Sequence, residues 1–194
     1  MDTYIWFINN PQVEEYWAYR PIFTKDQCED IIKIGNSLQL QDGTTGGVTD
    51  DTIRNSRISW IPSSNPDTQW IFRECSNLVI EMNRHFNYDL LYIESLQFTE
   101  YTGDVNNPAH YGKHVDTLYM NNGSRKLSFS VLLSEENSFE GGDLLLHLAH
   151  EPTVATRLQG VAVTFPSNTL HEVLPVTKGI RYSLVGWVVG PRFK

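Results

Sequence analysis

The sequence has few cysteines, no long hydrophobic run and no cluster of basic residues. Cys28 and Cys75 are the only two cysteines among 194 residues. They do not form a Cys-x-x-Cys pair, so the sequence indicates neither a disulfide framework nor a zinc ribbon. Both fall in segments that we predict to be helical, where buried thiols are expected. No apolar segment approaches the roughly 20 residues that span a bilayer, so we expect no membrane partner.

The charge balance is acidic, with 15 Lys and Arg against 23 Asp and Glu and a formal net charge of −8. Non-specific binding to nucleic-acid phosphates needs clustered cations. Nucleic acid is therefore disfavoured as a partner, although a local basic groove is left open. Residues 1–10 contain an acidic residue and no basic one, which is unlike a signal peptide. We therefore expect a cytoplasmic protein.

Length and composition predict one globular domain. Hydrophobic residues make up 40% and charged residues 20% of the chain, which favours a packed fold over disorder. The sequence has no internal repeat and no linker-like shift in composition. We therefore treat residues 1–194 as a single domain, with a helical support over about 1–90 and a strand-rich core over about 91–190. No coiled-coil segment occurs, so we expect a monomer.

The first part of the chain predicts two helices and a gap rich in glycine. Thr24 is a good N-cap, with Gln27 at the capping-box position, and apolar residues then follow helical spacing to about Gly35. Residues 41–52 are rich in Gly, Thr and Asp, which predicts a loop that is either a solvated connector or an active-site lid. The other predicted elements here are a strand at 4–8, a strand at 53–61, a turn at 62–66 and a second helix at 67–86.

The rest of the chain predicts strands and turns. Two helices followed by about eight strands indicate a mainly β fold with N-terminal helices. We expect a double-stranded β-helix, or jelly roll, with two supporting α-helices on one outer face. Such a roll encloses a mouth where inward residues can hold a ligand. The predicted strands are 91–101, 112–116, 126–133, 143–147, 154–156, 160–165, 170–174 and 181–189.

His114 and Asp116 form the first element of a candidate metal site. In a strand, residues two positions apart point to the same face about 7 Å apart, so this imidazole and carboxylate can bind one divalent metal. A His-x-Asp pair alone is weak support, because a chain with six histidines can contain one by chance. A surface or hydrogen-bonded histidine is the plainer interpretation.

Two residues downstream favour the metal hypothesis. His171 supplies a second imidazole, which would complete a two-His, one-carboxylate facial triad of the kind used by non-haem Fe(II) in oxygen chemistry. Arg181 lies in an apolar segment where an unpaired guanidinium would be costly, so an anion is expected beside it, and its planar fork suits a carboxylate. The spacing of all four residues and the strand pattern around each point to one site.

The remaining histidines are not expected to bind metal. His85 lies near the end of the second predicted helix, where it fits a contact with the helix dipole. The other three, His110, His147 and His150, have no carboxylate partner at strand spacing.

These residues and the segments around them resemble the Fe(II)- and 2-oxoglutarate-dependent dioxygenases, and within that superfamily the prolyl 4-hydroxylase branch. The resemblance extends over about residues 53–187 and is strongest to the catalytic domains of the hypoxia-inducible-factor prolyl hydroxylases and their microbial or viral relatives. A viral relative would act in the host cytoplasm. The matching segments are IRNSRISWI at 53–61, Tyr101, YGKHVD at 111–116, GSR at 123–125, GGDL at 141–144, FPS at 165–167, and HEV at 171–173 through Arg181 to Trp187.

The resemblance implies a role for each matched residue. His114, Asp116 and His171 would be the Fe(II) ligands and the catalytic centre. Arg181 would pair with the distal carboxylate of 2-oxoglutarate through two charge-assisted hydrogen bonds, and Tyr101 would hydrogen-bond the same group. A half-buried strand aromatic is the plainer interpretation of Tyr101. The implied cofactors are Fe(II) and 2-oxoglutarate, with O2 as co-substrate and ascorbate as a further candidate.

The resemblance also implies residues that bind the target. Arg54, Arg125 and Trp187 match positions that line the peptide groove of prolyl hydroxylases, and the loop 41–52 takes the place of the loop that closes over the target. Two solvated arginines and a core tryptophan are the plainer interpretations, and they stay open. A second ring often found near the co-substrate falls at Leu132 or a neighbouring residue here, which departs from the family pattern.

The main hypothesis is therefore hydroxylation of prolyl residues in a peptide or protein, coupled to decarboxylation of 2-oxoglutarate to succinate and CO2. An Asp at position 116 favours hydroxylation over halogenation. One alternative keeps the cofactors but acts on a free amino acid, another small molecule or an alkylated base, although the acidic charge argues against the base. A non-catalytic jelly-roll binding module would be expected to lack one of the four residues. A cupin-type metalloenzyme would have no need of Arg181.

Overall fold

The computed structural model describes residues 18–44 and 47–192, in which two helices pack on a β-structure of two sheets. The helices are α1 (Lys25–Ser37) and α2 (Gln69–Phe86), and a 3-10 turn (Pro66–Thr68) leads into α2. The predicted strand 4–8 lies outside the described residues. The strands are β1 (Ala18–Pro21), β2 (Gln41–Asp42), β3 (Arg54–Asn55), β4 (Arg57–Ile61), β5 (Tyr92–Ile93), β6 (Leu96–Thr102), β7 (Ala109–His114), β8 (Tyr119–Met120), β9 (Gly123–Leu132), β10 (Phe139–Gly141), β11 (Leu144–Leu146), β12 (Thr153–Val154), β13 (Val161–Pro166) and β14 (His171–Gly190).

Both helices form where the sequence predicts them. Thr24 caps α1 with a capping box, in which its hydroxyl accepts from the Gln27 N–H at 3.2 Å and the Gln27 side chain accepts from the Thr24 N–H at 2.9 Å. α2 ends at Asn87, which adopts the left-handed conformation with φ 51°. The buried stripe of α2 consists of Ile71, Cys75, Leu78, Val79, Met82 and Phe86.

The major sheet has the strand order β1-β13-β9-β14-β6-β4-β2, and its neighbouring strands are antiparallel. A minor sheet runs β3-β7-β14-β11-β12, with β10 also paired to β14. β14 belongs to both sheets, because its first residues pair with β7 and β11 while its residues from Ile180 onward pair with β6 and β9. The predicted jelly roll with two supporting helices is confirmed.

Residues of the major sheet alternate between the helices and the inside of the roll, as the period of a strand requires. Leu127, Phe129 and Val131 of β9 pack with α1 and α2 in one apolar cluster, and Phe98 and Leu184 join it from the neighbouring strands. The inside of the roll holds a second apolar cluster. Its members are Tyr101, Ala109, Leu132, Phe139, Leu144, Leu146, Ala155, Val163, Phe165, Val173 and Val176.

Two predicted strands are each divided in the structure. The predicted strand 53–61 consists of β3, which pairs with β7 in the minor sheet, and β4, which pairs with β6 in the major sheet. The chain crosses between the sheets at Ser56, so one uninterrupted strand could not satisfy both pairings. The predicted strand 91–101 is likewise divided into β5 and β6.

Other strand boundaries also differ from the predictions. The predicted strand 112–116 begins and ends too late, because β7 covers Ala109–His114 and leaves Asp116 beyond its end. The predicted strands 170–174 and 181–189 are one strand, since β14 continues through the turn-like residues between them with local shifts in register. The strands β1, β2, β8 and β10 were not predicted.

Candidate active site

Three potential metal ligands meet where β7 ends and β14 begins. His114 is the last residue of β7, His171 is the first residue of β14, and the two are direct partners in the minor sheet. Asp116 follows β7 by two residues. One ligand atom from each side chain lies within 4.8 Å of the others. The three residues predicted to bind a metal are therefore brought together.

Backbone carbonyls fix the orientation of both imidazoles. Nδ1 of His114 is 2.7 Å from the Gly112 carbonyl oxygen, and Nδ1 of His171 is 2.9 Å from the Thr169 carbonyl oxygen. A carbonyl can only accept, so each Nδ1 carries the proton and each Nε2 keeps a free lone pair. Both Nε2 atoms face Asp116, at 3.7 Å from Oδ1 and 3.5 Å from Oδ2. This hydrogen bonding of the second ring nitrogen is typical of metal-binding histidines.

Burial keeps the His114 imidazole neutral. Desolvation lowers the pKa of His114 to about 4, and the neighbouring His171 lowers it further while the Asp116 carboxylate acts in the opposite direction. A neutral imidazole is the form that binds a metal. At neutral pH the ring therefore needs no deprotonation before it can act as a ligand.

Asp116 reaches the site from a turn and not from a strand. The prediction that the strand period places it beside His114 was wrong in its mechanism, because β7 ends at His114. Instead, the Asp116 N–H donates to the Ser167 carbonyl at 2.9 Å, and the Thr117 hydroxyl donates to the same oxygen at 3.3 Å. Ser167 lies in the turn before β14, so the turn that leads to His171 also holds the carboxylate.

The cluster opens into a cavity inside the roll. Polar, aromatic and aliphatic side chains from both sheets line it. They are Arg54, Gln97, Tyr101, Tyr111, His114, Asp116, Ser130, Leu144, Phe165, His171, Val173, Arg181, Ser183, Val185 and Trp187.

Arg181 lines this cavity as a buried cation. It is 4% exposed, and its Nη1 donates to the Ser183 hydroxyl at 3.1 Å. Within the part of the chain that the structure describes, no carboxylate forms an ion pair with it, and Asp143 is itself paired with Arg157 at 2.8 Å. Burial lowers the pKa of Arg181, which is the direction expected for a cation without an anion. The cavity therefore has an open position for an anionic group.

Tyr101 lies directly across from Arg181 in the pairing of β6 with β14, and the guanidinium carbon is 5.3 Å from its ring centroid. Tyr101 is buried, and burial raises the pKa of its hydroxyl. The phenol therefore stays protonated and can donate a hydrogen bond inside the cavity. Leu132, where a second ring was expected, packs in the apolar cluster inside the roll and does not line this cavity.

The three residues predicted to bind a target are all withdrawn from solvent. Arg54 and Trp187 are buried, and Arg125 is partly buried. Arg54 is buried, donates to the Ser56 hydroxyl at 2.8 Å, and lies 4.4 Å above the ring of Tyr111. Arg125 lies 4.2 Å above the ring of Trp187. Trp187 is 7% exposed and lines the cavity, while Arg125 lies behind it.

Arg125 is also fixed from its other side. Its Nε and Nη2 donate to the two carboxylate oxygens of Glu94 at 2.9 and 2.8 Å. Its Nη1 is 3.5 Å from the Asp116 carbonyl oxygen. Arg125 therefore joins the Trp187 indole to the turn that carries a metal ligand.

Sequence reasoning missed Tyr111 and Gln97 as cavity residues. The Tyr111 ring stacks on the His114 ring at 3.6 Å between centroids and 13° between planes. Tyr111 also contacts Arg54, so it lies between that arginine and the metal ligand. The period of two between Gln97 and Tyr101 in β6 was the available signal for Gln97.

His110, His147 and His150 have partners outside this cluster, and His85 lies in the last turn of α2. His147 contacts Glu172 at 2.9 Å, and the exposed His150 contacts Glu151 at 3.1 Å. His110 contacts the carbonyl oxygens of Pro108 and Thr52. No second group of three potential metal ligands occurs among residues 18–44 and 47–192.

Comparison with known proteins gives matches to one superfamily. Residues 96–189 match the 2OG-Fe(II) oxygenase superfamily. A PKHD-type hydroxylase of Synechococcus sp. (strain CC9605) is 49% identical over 79 residues, which is 40% of this chain and 36% of that protein. A PKHD-type hydroxylase of Prochlorococcus marinus (strain MIT 9313) is 40% identical over 78 residues, 40% of this chain and 35% of that protein. The match spans just over a third of the length of these curated relatives.

Solved structures agree on the fold. A Pseudomonas putida prolyl-4-hydroxylase has a TM-score of 0.73 at 22% identity, covering 93% of this chain and 95% of that one. A prolyl hydroxylase from Trichoplax adhaerens, in complex with a hypoxia inducible factor oxygen degradation domain peptide fragment, has a TM-score of 0.72 at 18% identity, covering 91% and 84%. No helix among the described residues is long and apolar enough to cross a membrane.

The segment 96–189, which matches the 2OG-Fe(II) oxygenase superfamily, contains the three clustered ligands and Arg181. The resemblance to this superfamily found in the sequence is confirmed by this match and by the PKHD-type relatives. The solved structures confirm the fold.

Proposed function

We propose that this chain is an Fe(II)- and 2-oxoglutarate-dependent dioxygenase that hydroxylates prolyl residues of a peptide or protein. One observation carries the proposal. A two-His, one-carboxylate cluster and a buried arginine that pairs with no acid of the described chain line the same cavity. This combination provides a place for a redox metal and a place for an anionic co-substrate.

The ligand set fits Fe(II). Nε2 of His114, Nε2 of His171 and one oxygen of Asp116 would hold the ion on one face and leave the opposite positions open. The carbonyls that accept from both Nδ1 atoms keep the rings aligned without the metal. Site formation therefore needs little rearrangement.

The co-substrate fits the other part of the cavity. Arg181 would receive the distal carboxylate of 2-oxoglutarate in two parallel hydrogen bonds, and the Tyr101 hydroxyl would donate a third. An anion there would compensate the desolvation of the guanidinium. The charge that burial makes costly in the free protein would then contribute to binding.

The chemistry that bound Fe(II) and 2-oxoglutarate supply is oxidative decarboxylation of the oxoacid by O2, coupled to insertion of one oxygen atom into a C–H bond. The chain holds and orients the reactants. Leu144, Phe165 and Val173 supply an apolar lining beside the ligands, which limits access of water to the reacting groups. Ascorbate is proposed as a further reductant that keeps the metal in its ferrous form.

The target is proposed to be a peptide, because apolar and cationic groups surround the mouth of the cavity. The Trp60 ring is 43% exposed and lies 6.2 Å from the Trp187 ring, and Leu118 is 45% exposed beside the Arg125 backbone. The Trichoplax adhaerens neighbour holds a peptide fragment, and the relatives are PKHD-type hydroxylases, which supports this target class.

The segment 41–52 is proposed to close over the target. Its first two residues form β2, which pairs with β4. The Thr44 carbonyl accepts a hydrogen bond from Nη1 of Arg54 at 3.2 Å. Thr45 and Gly46 lie outside the described residues. The contact with Arg54 ties this segment to the cavity wall, which is where a gate would act.

The first experiment mixes purified protein anaerobically with Fe(II) and 2-oxoglutarate and records the visible charge-transfer band of an iron-bound oxoacid. The wild type is expected to show the band, His114→Ala to lose it, and Arg181→Ala to require far more 2-oxoglutarate. His147→Ala is the matched control, because this histidine contacts Glu172 outside the cavity. No band in a folded, metal-loaded wild type would refute the dioxygenase proposal.

The second experiment tests the target. Succinate formation is measured with proline-containing peptides and, separately, with free L-proline. Stimulation by peptides, with a mass increase of one oxygen on a prolyl residue, is expected. Stimulation by free L-proline alone would move the proposal to a small-molecule target.

A further inference from the structure

We propose that Gln97 and the indole N–H of Trp187 form a second polar anchor in the cavity, which binds a carbonyl or carboxylate oxygen of the ligand. The anchor rests on the proposed function, because it assumes that the cavity holds 2-oxoglutarate and a target. It differs from the arginine site, because its two groups are neutral and its residues lie farther along the same strands.

The pairing of the strands places the anchor away from Arg181. Gln97 faces Val185 across β6 and β14, while Tyr101 faces Arg181 in the same pair of strands. Gln97 and Tyr101 are four positions apart in β6, a distance of about 13 Å along the strand. Trp187 follows Val185 by two residues and so lies on the same face. Gln97 and Trp187 both line the cavity.

Both residues are buried with hydrogen-bonding capacity left over. Gln97 is 4% exposed, and its amide donates to the Thr99 hydroxyl at 3.2 Å. Its second amide hydrogen and its carbonyl oxygen have no hydrogen-bond partner within residues 18–44 and 47–192. Nε1 of Trp187 is a buried donor that also has no partner among the described residues. A buried donor without a partner, such as this indole N–H, is rare and costs free energy.

The surroundings of both side chains restrict what they can do. Arg125 covers one face of the Trp187 indole and Trp60 lies against it, so the ring is held in place with its N–H buried. Thr99 is buried and holds the Gln97 amide from one side. Both groups can donate a hydrogen bond, which suits an oxygen acceptor and not a cation.

The Gln97 side chain has a structural partner on one side only. Its neighbours Leu96 and Phe98 pack with the helices, and Val185 opposite it is apolar. The Thr99 hydroxyl accepts one hydrogen of the Gln97 amide. The second amide hydrogen is left for an acceptor that a bound ligand would supply.

Two ligands could provide the oxygen, and they share its chemistry. One is the carboxylate or keto oxygen of 2-oxoglutarate at the end remote from Arg181. The other is the main-chain carbonyl of the target residue. The variants below separate the two, because only the first is present when the target is left out.

The test uses Gln97→Met, which removes the amide and keeps the length, and Trp187→Phe, which removes Nε1–H and keeps a ring for Arg125. Gln69→Met is the matched control, because Gln69 is exposed at the start of α2. Each protein is loaded with Mn(II), which does not turn over, and titrated calorimetrically with 2-oxoglutarate and then with a proline-containing peptide. Circular dichroism and thermal melting exclude variants that fail to fold.

We expect each variant to weaken the same ligand by roughly three- to tenfold, the loss of one hydrogen bond. The double variant should lose less than the product of the two, because both groups bind one oxygen. Weaker binding of 2-oxoglutarate assigns the anchor to the oxoacid, and weaker binding of the peptide alone assigns it to the target. Unchanged binding of both ligands in folded Gln97→Met and Trp187→Phe would overturn the anchor.

Arg181→Ala distinguishes failure of the anchor from failure of the proposed function. If this variant loses 2-oxoglutarate while Gln97→Met binds as wild type, the anchor alone is wrong. If the wild type does not bind 2-oxoglutarate at all, the proposed function has failed and the anchor with it.

Discussion

Along β9 the two faces of the major sheet differ in chemistry, although the same strand builds both. On the face that packs against α1 and α2, β9 contributes Leu127, Phe129 and Val131, each 0% exposed. Toward the inside of the roll, the residues between them are Ser128 and Ser130. One strand therefore supplies apolar burial to one side and polar groups to the other.

β14 repeats this division around its functional residues. Leu184 and Val188 pack with the helices, while Arg181, Ser183 and Trp187 line the cavity. Buried polar groups without partners lower stability, and apolar burial raises it. The helix-packed face therefore stabilises the fold and thereby permits costly polar groups on the cavity face.

The largest expected change in stability comes from the helix-packed face. Phe129→Ala removes a fully buried ring that packs against Gly186 and the helical cluster. We expect a loss of about 3–5 kcal/mol in the free energy of unfolding, measured by urea denaturation. Ile80→Ala, at a side chain that is 65% exposed, is the control and should change stability by less than about 0.5 kcal/mol. Equal losses in the two variants would contradict the comparison.

His114→Ala is expected to show the opposite pattern. Removing one of three metal ligands should weaken binding of Fe(II) and lower turnover by more than about 100-fold, while urea denaturation of the metal-free protein changes little. Burial keeps the imidazole uncharged at neutral pH, so its loss removes no charge from the folded protein. If metal-free His114→Ala unfolded as readily as Phe129→Ala, the cavity face would also stabilise the fold.

Sequence patterns predicted the parts of this division that depend on local order. The helices follow from the capping box at Thr24 and from apolar residues at helical spacing, because both signals lie within one element. His114 could be found because Asp116 follows it by two positions, and Arg181 because it lies in an apolar segment where a guanidinium needs a partner. The metal cluster and the arginine site are therefore readable from spacing and residue type.

The missed features depend on contacts between distant segments. Asp116 was assigned to the site by the strand period, but a hydrogen bond to the Ser167 carbonyl holds it there. The break at Ser56 arises because the chain passes from one sheet to the other. Tyr111 becomes a site residue through the register that pairs it with Arg54 of β3 and Val173 of β14. No local pattern contains that register.

Arg125 allows the comparison of the two faces to be tested at the mouth of the cavity. Arg125→Gln removes the ion pair with Glu94 and the contact with the Trp187 ring. We expect the KM for a proline-containing peptide to rise roughly tenfold while the affinity for 2-oxoglutarate stays the same. Arg57→Gln is the control, because this arginine is exposed and its ion pair with Glu100 is long, at 3.9 Å. A loss of 2-oxoglutarate affinity in Arg125→Gln would place its role at the metal turn and not at the target.

The smallest effects come from two adjacent residues of β9 that point to opposite faces. Val131→Ala should lower the free energy of unfolding by about 1–3 kcal/mol, because Val131 is fully buried in the helical cluster. Ser130→Ala should change it by less than about 0.5 kcal/mol, because Ser130 is only partly buried and lines the cavity. Urea denaturation of both variants measures the difference between the faces at a separation of one residue. If Ser130→Ala were the more destabilising change, the serine would be part of the packing, and the division of roles between the two faces would not hold along this strand.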